Sequence, residues 1–302
     1  MSKIIVTGGC GFIGSHMVDA LVARGHDVHV IDDASANNDQ FYFNEKAVYH
    51  IVSILDLEKM LELTKDSEFI FHFAAESRLQ HCVENPRKAV EVNVLGTVNL
   101  LECCRKNSIN GFIFASTSCV YGKNQVPLVE TMKEDCLNPY GSTKYAAEML
   151  IRNYVSLYGI KALILRYMNA FGERAPSKGP YALVISIFLA QKEKNQPLTV
   201  VGNGKQKRDF IHVKDIVKAN LRCMDMWGLE SAKRLHSAEP FNVGSSKETS
   251  IIDIARTISD DIVFVPERKG EVLSNLCDST KFRRLANWYP TIDILDWLKE
   301  QK

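Results

Sequence analysis

Ile4-Ile5-Val6-Thr7-Gly8-Gly9-Cys10-Gly11-Phe12-Ile13-Gly14, followed by the helical run Ser15 to Arg24, decides how this chain folds. A short apolar strand runs into a glycine-spaced turn and then into a helix. Small residues in such a turn let the backbone approach a pyrophosphate, whose charge rests on the amides of the helix N-terminus. A tight strand-to-helix turn without a ligand would carry the same glycines, so the context has to decide. The next apolar run, Val28 to Asp32, ends in Asp32-Asp33, about 20 residues after the glycines, where a carboxylate can accept both hydroxyls of a ribose. A carboxylate there also repels the extra phosphate of NADP, so NAD is the expected cofactor.

Working outward, further runs read as buried strands: Phe69 to Phe73, Gly111 to Ala115 and Lys161 to Arg166. Helical stretches such as Val94 to Lys106 lie between them. The alternation predicts an α/β fold, a Rossmann-type doubly wound parallel sheet with ligands at the carboxyl ends of its strands. After Arg166 the rhythm breaks at Pro176-Ser177-Lys178-Gly179-Pro180 and at Val201-Gly202-Asn203-Gly204-Lys205. The expected division is residues 1–166 as the dinucleotide-binding domain and 167–302 as a smaller α/β substrate-binding domain, with some segments returning to the first.

Composition excludes several classes. With 37 Lys and Arg against 36 Asp and Glu, the net charge of +1 offers no global field for nucleic acid or an anionic membrane. The eight cysteines form no C-x-x-C pair and no zinc-like spacing, and they read as reduced thiols of a cytoplasmic protein. No stretch approaches the roughly 18 apolar residues of a membrane span, and the apolar run after Met1-Ser2-Lys3 is too short for a signal peptide. No metal site is expected: His50, His81, His212 and the other histidines lack ligand-like spacing and read as structural or surface groups.

Tyr140 and Lys144 are four residues apart at the start of a predicted helix and so project from one face. An ammonium beside a phenol favours the phenolate and would lower its pKa from about 10, making tyrosine a usable general base. Taken alone, the pair is also what an ordinary helix with a surface lysine would show.

Thr7-Gly8-Gly9-Cys10-Gly11-Phe12-Ile13-Gly14, His72-Phe73-Ala74-Ala75, Asn93-Val94-Leu95-Gly96-Thr97, Thr117 to Gly122, Tyr140-Gly141-Ser142-Thr143-Lys144, Arg166-Tyr167-Met168-Asn169, Arg208-Asp209-Phe210 and Asn242-Val243-Gly244 together resemble the extended short-chain dehydrogenases/reductases. Their order resembles the NAD-dependent nucleotide-sugar epimerase/dehydratase branch, with UDP-hexose 4-epimerases (UDP-glucose and UDP-GlcNAc) the nearest subgroup. The resemblance implies NAD bound by Gly8, Gly11, Phe12, Ile13, Gly14, Asp32, Asp33, Ser53, Ile54, Phe73, Ala74, Ala75, Asn93, Ser116, Tyr140, Lys144 and Tyr167. Ser53-Ile54 stands where the family often has an Asp-Ile pair facing the adenine. The resemblance makes Thr117 the catalytic hydroxyl, with Tyr140 and Lys144. Arg208 and Arg268 would grip the substrate's diphosphate, Glu271 its ribose hydroxyls and Asn169 its sugar-phosphate.

The implied activity is 4-epimerisation of a UDP-hexose or UDP-N-acetylhexosamine through a 4-keto intermediate. Asn275 falls where epimerases restricted to plain hexoses carry a bulky tyrosine, so N-acetyl sugars are expected to be accepted. The carboxylates of related dehydratases and decarboxylases are replaced by Ser118 and Cys119. Cys119 is itself a candidate acid or base for a dehydratase or 3,5-epimerase, with plain packing as the alternative reading. A silent NAD-binding sensor is the non-enzyme alternative, against which Thr117, Tyr140 and Lys144 together speak. The family resemblance also implies a homodimer through the helices after Asn93 and Lys144, where Met149, Leu150 and Tyr154 form an apolar stripe that packing within one subunit would equally explain.

Overall fold

A computed structural model describes residues 2–36, 41–177, 182–229, 237–266 and 273–301. Strands β1 (Lys3–Thr7), β2 (Asp27–Asp32), β3 (Val48–Ile51), β4 (Phe69–His72), β5 (Gly111–Thr117) and β6 (Ala162–Tyr167) alternate with helices through the first half. The second half adds β7 (Asn169–Phe171), β8 (Leu198–Val201), β9 (Lys207–His212), β10 (Ser237–Val243), β11 (Glu248–Ser250) and β12 (Ile262–Val265). Seven strands form one parallel sheet in the order β3-β2-β1-β4-β5-β6-β10. Strand order reverses between β1 and β4, which opens a crevice at their carboxyl ends.

Alternate residues of each central strand enter opposite cores because successive side chains point to opposite faces. Ile4, Val6, Phe69, Phe71, Ile113, Leu163 and Leu165 belong to one apolar cluster, and Ile5, Ile70, Phe112, Phe114 and Ile164 to the other. Both faces are covered, so these strands read as continuous apolar runs rather than as alternating patterns.

In the first half, two elements depart from the sequence expectation. β3 was not foreseen: it pairs only with β2, and Val48 and Ile51 are exposed, so it has no buried run to betray it. The helix predicted from Val94 begins instead as a π-helical turn, Glu91–Leu95, before the α-helix Gly96–Lys106, and the wide turn carries Asn93 inward to full burial. In the second half, a three-stranded sheet (β11-β9-β7) and a parallel pair (β12-β8) pack with the helices Val184–Glu193, Ile251–Ile258 and Ile294–Glu300 around Phe171, Phe188, Phe210, Ile254 and Trp297. No helix among the described residues is long and apolar enough to cross a membrane.

Candidate active site

A cleft of about 1140 Å³ opens at the carboxyl ends of β1, β2, β4, β5 and β6. Gly8, Gly11, Phe12, Ile13 and Gly14 line it. Gly8 has φ +70°, and a Cβ there would lie 2.6 Å from the Ala74 amide; at Gly14 a Cβ would lie 2.1 Å from the Gly8 carbonyl oxygen. Neither position admits a side chain. The helix Phe12–Ala23 begins at Gly11 with no side-chain cap and no acidic residue in its first turn, so its amides face the cleft without a protein anion.

Asp32 ends β2 at the same cleft, its carboxylate accepting from the amides of Cys10 (3.0 Å) and Ala34 (2.9 Å). Burial leaves its pKa above the usual carboxylate value, the two amides offsetting only part of the rise. The Cys10 thiol, pushed up to about 12 by burial and by Asp32, stays protonated. Asp33, Ser53, Ile54, Phe73, Ala74 and Ala75 complete this end of the lining.

The helix Pro139–Tyr158 starts because Asn138 caps it, its side chain accepting from the Gly141 amide, with Pro139 in the first turn. Tyr140 and Lys144 follow one turn apart, and both line the cleft together with Ser116, Tyr167 and Asn169. The neighbouring turn, Ser118–Tyr121, is capped by Thr117, whose Oγ1 accepts from the Cys119 amide. It packs so close to the helix that a Cβ at Gly141 would lie 2.8 Å from the Cys119 carbonyl oxygen.

The electrostatics differ from expectation. Burial pushes the Tyr140 hydroxyl above its usual range, against the pull of a hydrogen bond with Thr117. Lys144 is itself buried, its Nζ 4.0 Å from the centre of the Phe114 ring, and desolvation brings its pKa down to about 7. Burial therefore works against the charge on the ammonium. Cys119 does not line the cleft, and burial raises its pKa, which favours packing over acid–base work.

A hydrogen-bonded chain runs beneath the floor. The Ala74 amide donates to Thr7 Oγ1, which lies 2.7 Å from His72 Nδ1; His72 Nε2 lies 3.0 Å from Thr97 Oγ1, which donates to the Asn93 carbonyl. The order of donors makes His72 a neutral Nε2–H tautomer, and burial, with Lys144 nearby, holds its pKa well below the ordinary value. Asn93 requires correction. Its side chain accepts from the Glu76 amide and donates to the Glu76 carbonyl and to Thr143 Oγ1, which spends both amide hydrogens inside the protein, and it does not line the cleft. It pins the loop after β4 to the helix of Tyr140 and Lys144.

In the substrate half Arg208 and Asn169 line the cleft. Asp209 turns away and organises the loop behind, accepting from the Ser245 and Ser246 amides. Asn275 does not reach the lining; its Oδ1 accepts from Asn169 Nδ2 at 3.2 Å. Thr117 likewise sits behind the lining, at the foot of Tyr140. Arg268 and Glu271 lie outside the described residues.

The cleft also contains residues that sequence reasoning passed over. His81 was read as structural or surface, yet it lines the cleft with its Nδ1 2.8 Å from the Glu76 carboxylate. Glu76 and Arg78 line the same wall. Their signal was their place just after β4, beside the switch point. Phe188, Val201 and Gln206 line the other side and carried no signal.

Residues 4–244 match the NAD dependent epimerase/dehydratase family. The chain belongs to that family. It is 40% identical to the putative UDP-glucose 4-epimerase of Methanocaldococcus jannaschii, over 98% of this chain and 96% of the relative. It is 34% identical to the UDP-N-acetyl-alpha-D-glucosaminuronate decarboxylase of Bacillus cytotoxicus, over 99% and 96%. Among solved structures, the UDP-glucose 4-epimerase of Thermotoga maritima with UDP-glucose superposes with a TM-score of 0.90 at 32% identity, covering 98% of this chain and 96% of that one.

Membership of the NAD-dependent epimerase/dehydratase family makes the protein an NAD-dependent enzyme of the nucleotide-sugar epimerase/dehydratase kind. Its own residues fit that cofactor. Gly8 and Gly14 form a cradle that a Cβ would fill, the uncapped helix N-terminus suits a pyrophosphate, and Asp32 is fixed where a ribose diol would be recognised.

Proposed function

We propose that the enzyme interconverts the C4 epimers of a UDP-linked hexose or N-acetylhexosamine. The observation that carries this reading is that Tyr140 and Lys144 open into the same cleft as the glycine cradle and Asp32, with the Thr117 hydroxyl at the foot of Tyr140. NAD, when bound, supplies a redox couple that can oxidise the C4 carbinol and restore it.

The protein's residues handle the proton and the positioning. Tyr140 takes the proton of the 4-hydroxyl and returns it to the C4 oxygen after the 4-keto sugar has turned over. Thr117 hydrogen-bonds Tyr140 and so directs its hydroxyl, and Lys144 lends positive charge to the phenolate. Arg208 offers a planar fork to the diphosphate, and Asn169, whose amide hydrogens go to the Asp209 carbonyl and to Asn275, has its side-chain oxygen left to accept from a sugar hydroxyl. Asn275, drawn onto Asn169, leaves the room that an N-acetyl group needs. The carboxylates of the related dehydratases and decarboxylases have no counterpart at Ser118 and Cys119, which favours epimerisation over loss of water or of carbon dioxide.

Chromatography of UDP-glucose and UDP-GlcNAc after incubation with the enzyme tests the assignment. The expected products are UDP-galactose and UDP-GalNAc; conversion of neither sugar, or a product lighter by water, would reject it.

A further inference from the structure

Lys144 must remain an ammonium to do its work, yet it is 2% exposed and burial draws its pKa down to about 7. Something in the protein has to hold the proton on it. The groups around it are few. From β4 comes His72, neutral; from β5 the Phe114 ring; and from its own helix Tyr140 and Glu148, each one turn away. Glu148 is the group among these that raises the lysine's pKa.

Glu148 lies one helical turn beyond Lys144 and is completely buried. Its Oε1 accepts from Ser116 Oγ at 2.5 Å and from Arg166 Nε at 3.0 Å, and its Oε2 from Arg166 Nη2 at 2.6 Å. Arg166, also completely buried, reaches Glu134 with the same Nη2 at 3.0 Å, and its guanidinium lies over the Tyr121 ring. Arg152, on the solvent side of the helix, comes within 3.7 Å of Glu148 Oε2. A bidentate guanidinium and a hydroxyl donor fix that carboxylate in place. Ser116 precedes Thr117 on β5 and stands opposite Arg166 across the β5–β6 pair, so the same cluster ties the catalytic turn to the catalytic helix.

We propose that Glu148 is a positioning residue of the active site: its carboxylate, fixed by Arg166 and Ser116, keeps Lys144 protonated beneath Tyr140 and locks the end of β5 to the helix carrying both. This rests on the reading of Tyr140 and Lys144 as the acid–base pair. A buried ion pair by itself adds little stability. The arrangement is better spent on the charge of the lysine it adjoins.

The test is an NMR titration of the NAD-loaded enzyme carrying [ε-13C]lysine, with Lys144→Met identifying the signal. Wild type should show one lysine titrating near neutral pH, well below the others. Glu148→Gln keeps the size and an acceptor for Ser116 and should lower that midpoint by about one pH unit or more, as loss of a close opposite charge does. The alkaline limb of kcat should move down with it while KM stays near the wild-type value. Should the single variant misfold, Glu148→Gln with Arg166→Met removes both buried charges together and should also lower the midpoint. An unmoved midpoint in a folded variant, or a wild-type Lys144 titrating with the surface lysines, overturns the proposal. The titration needs no turnover, so it is read even if the assigned reaction fails; normal activity in Tyr140→Phe would sink the catalytic reading without touching it.

Discussion

The chemistry of the site is divided between residues whose meaning is local and residues whose meaning is tertiary. Gly8, Gly14, Asp32, Tyr140 and Lys144 were legible because a turn, a strand end and a helical repeat fix their relations within a few positions. Glu148 and Arg166 were not, because their partners come from other elements: Ser116 meets Glu148 across 32 positions, and Arg166 meets it across 18. Asn93 was misjudged for the same reason, its side chain being spent on Glu76 and Thr143. The proton traffic belongs to this scale. Tyr140→Phe should lower turnover by about 10²–10⁴-fold with an unchanged circular dichroism spectrum, because it removes the acid–base group and little packing. Cys119→Ser, by contrast, should keep most activity, since the thiol stays behind the lining and burial keeps it protonated. Steady-state rates of the two variants side by side settle which residue carries the proton; a crippled Cys119→Ser would bring back chemistry at C5.

At the scale of elements, strands buried on both faces announced themselves as apolar runs, and β1, β2, β4, β5 and β6 stand where those runs lie. β3 and β10 escaped because one is a short exposed edge and the other carries Glu239, Pro240 and Asn242 within its seven residues. Neither has a pattern that survives without its neighbours. The element that matters most for function is the turn between β1 and the helix Phe12–Ala23. Gly14→Ala would drive a methyl group into the Gly8 carbonyl, 2.1 Å away, and displace the turn from the cofactor. NAD affinity measured by calorimetry should fall at least tenfold, and the thermal stabilisation that NAD gives should shrink with it. Unchanged affinity would mean that the cradle is not where the pyrophosphate binds.

For the whole molecule, the second half does not simply sit beside the first: it sends β10 to the edge of the large sheet and the helix Val213–Met226 against the helix Phe12–Ala23. Some segments were expected to return to the first domain, but the sequence could not say which, because pairing between distant strands leaves no local mark. The surface carries a second message. Val83, Val90, Leu95, Met149 and Leu157 are all exposed apolar residues on the helices after β4 and on the helix of the catalytic pair. Leu150 and Tyr154, from the stripe read in the sequence, pack inside the subunit, which leaves Met149 and its neighbours to face outward. We expect these helices to meet their copies in a homodimer. Light scattering after size exclusion should give twice the chain mass, and Met149→Glu with Leu157→Glu should give the chain mass; a wild-type monomer would refute the expectation.

In the proposed reaction one cleft oxidises and restores a single carbon without exchanging its hydrogen with solvent. UDP-glucose and UDP-GlcNAc carrying deuterium at C4, incubated without added NAD and followed by NMR and mass spectrometry, test it most directly. The expected products are 4-epimers that keep the deuterium at C4 and take no label from solvent. Loss of the deuterium, a product short of water or carbon dioxide, or no turnover of either sugar would contradict it.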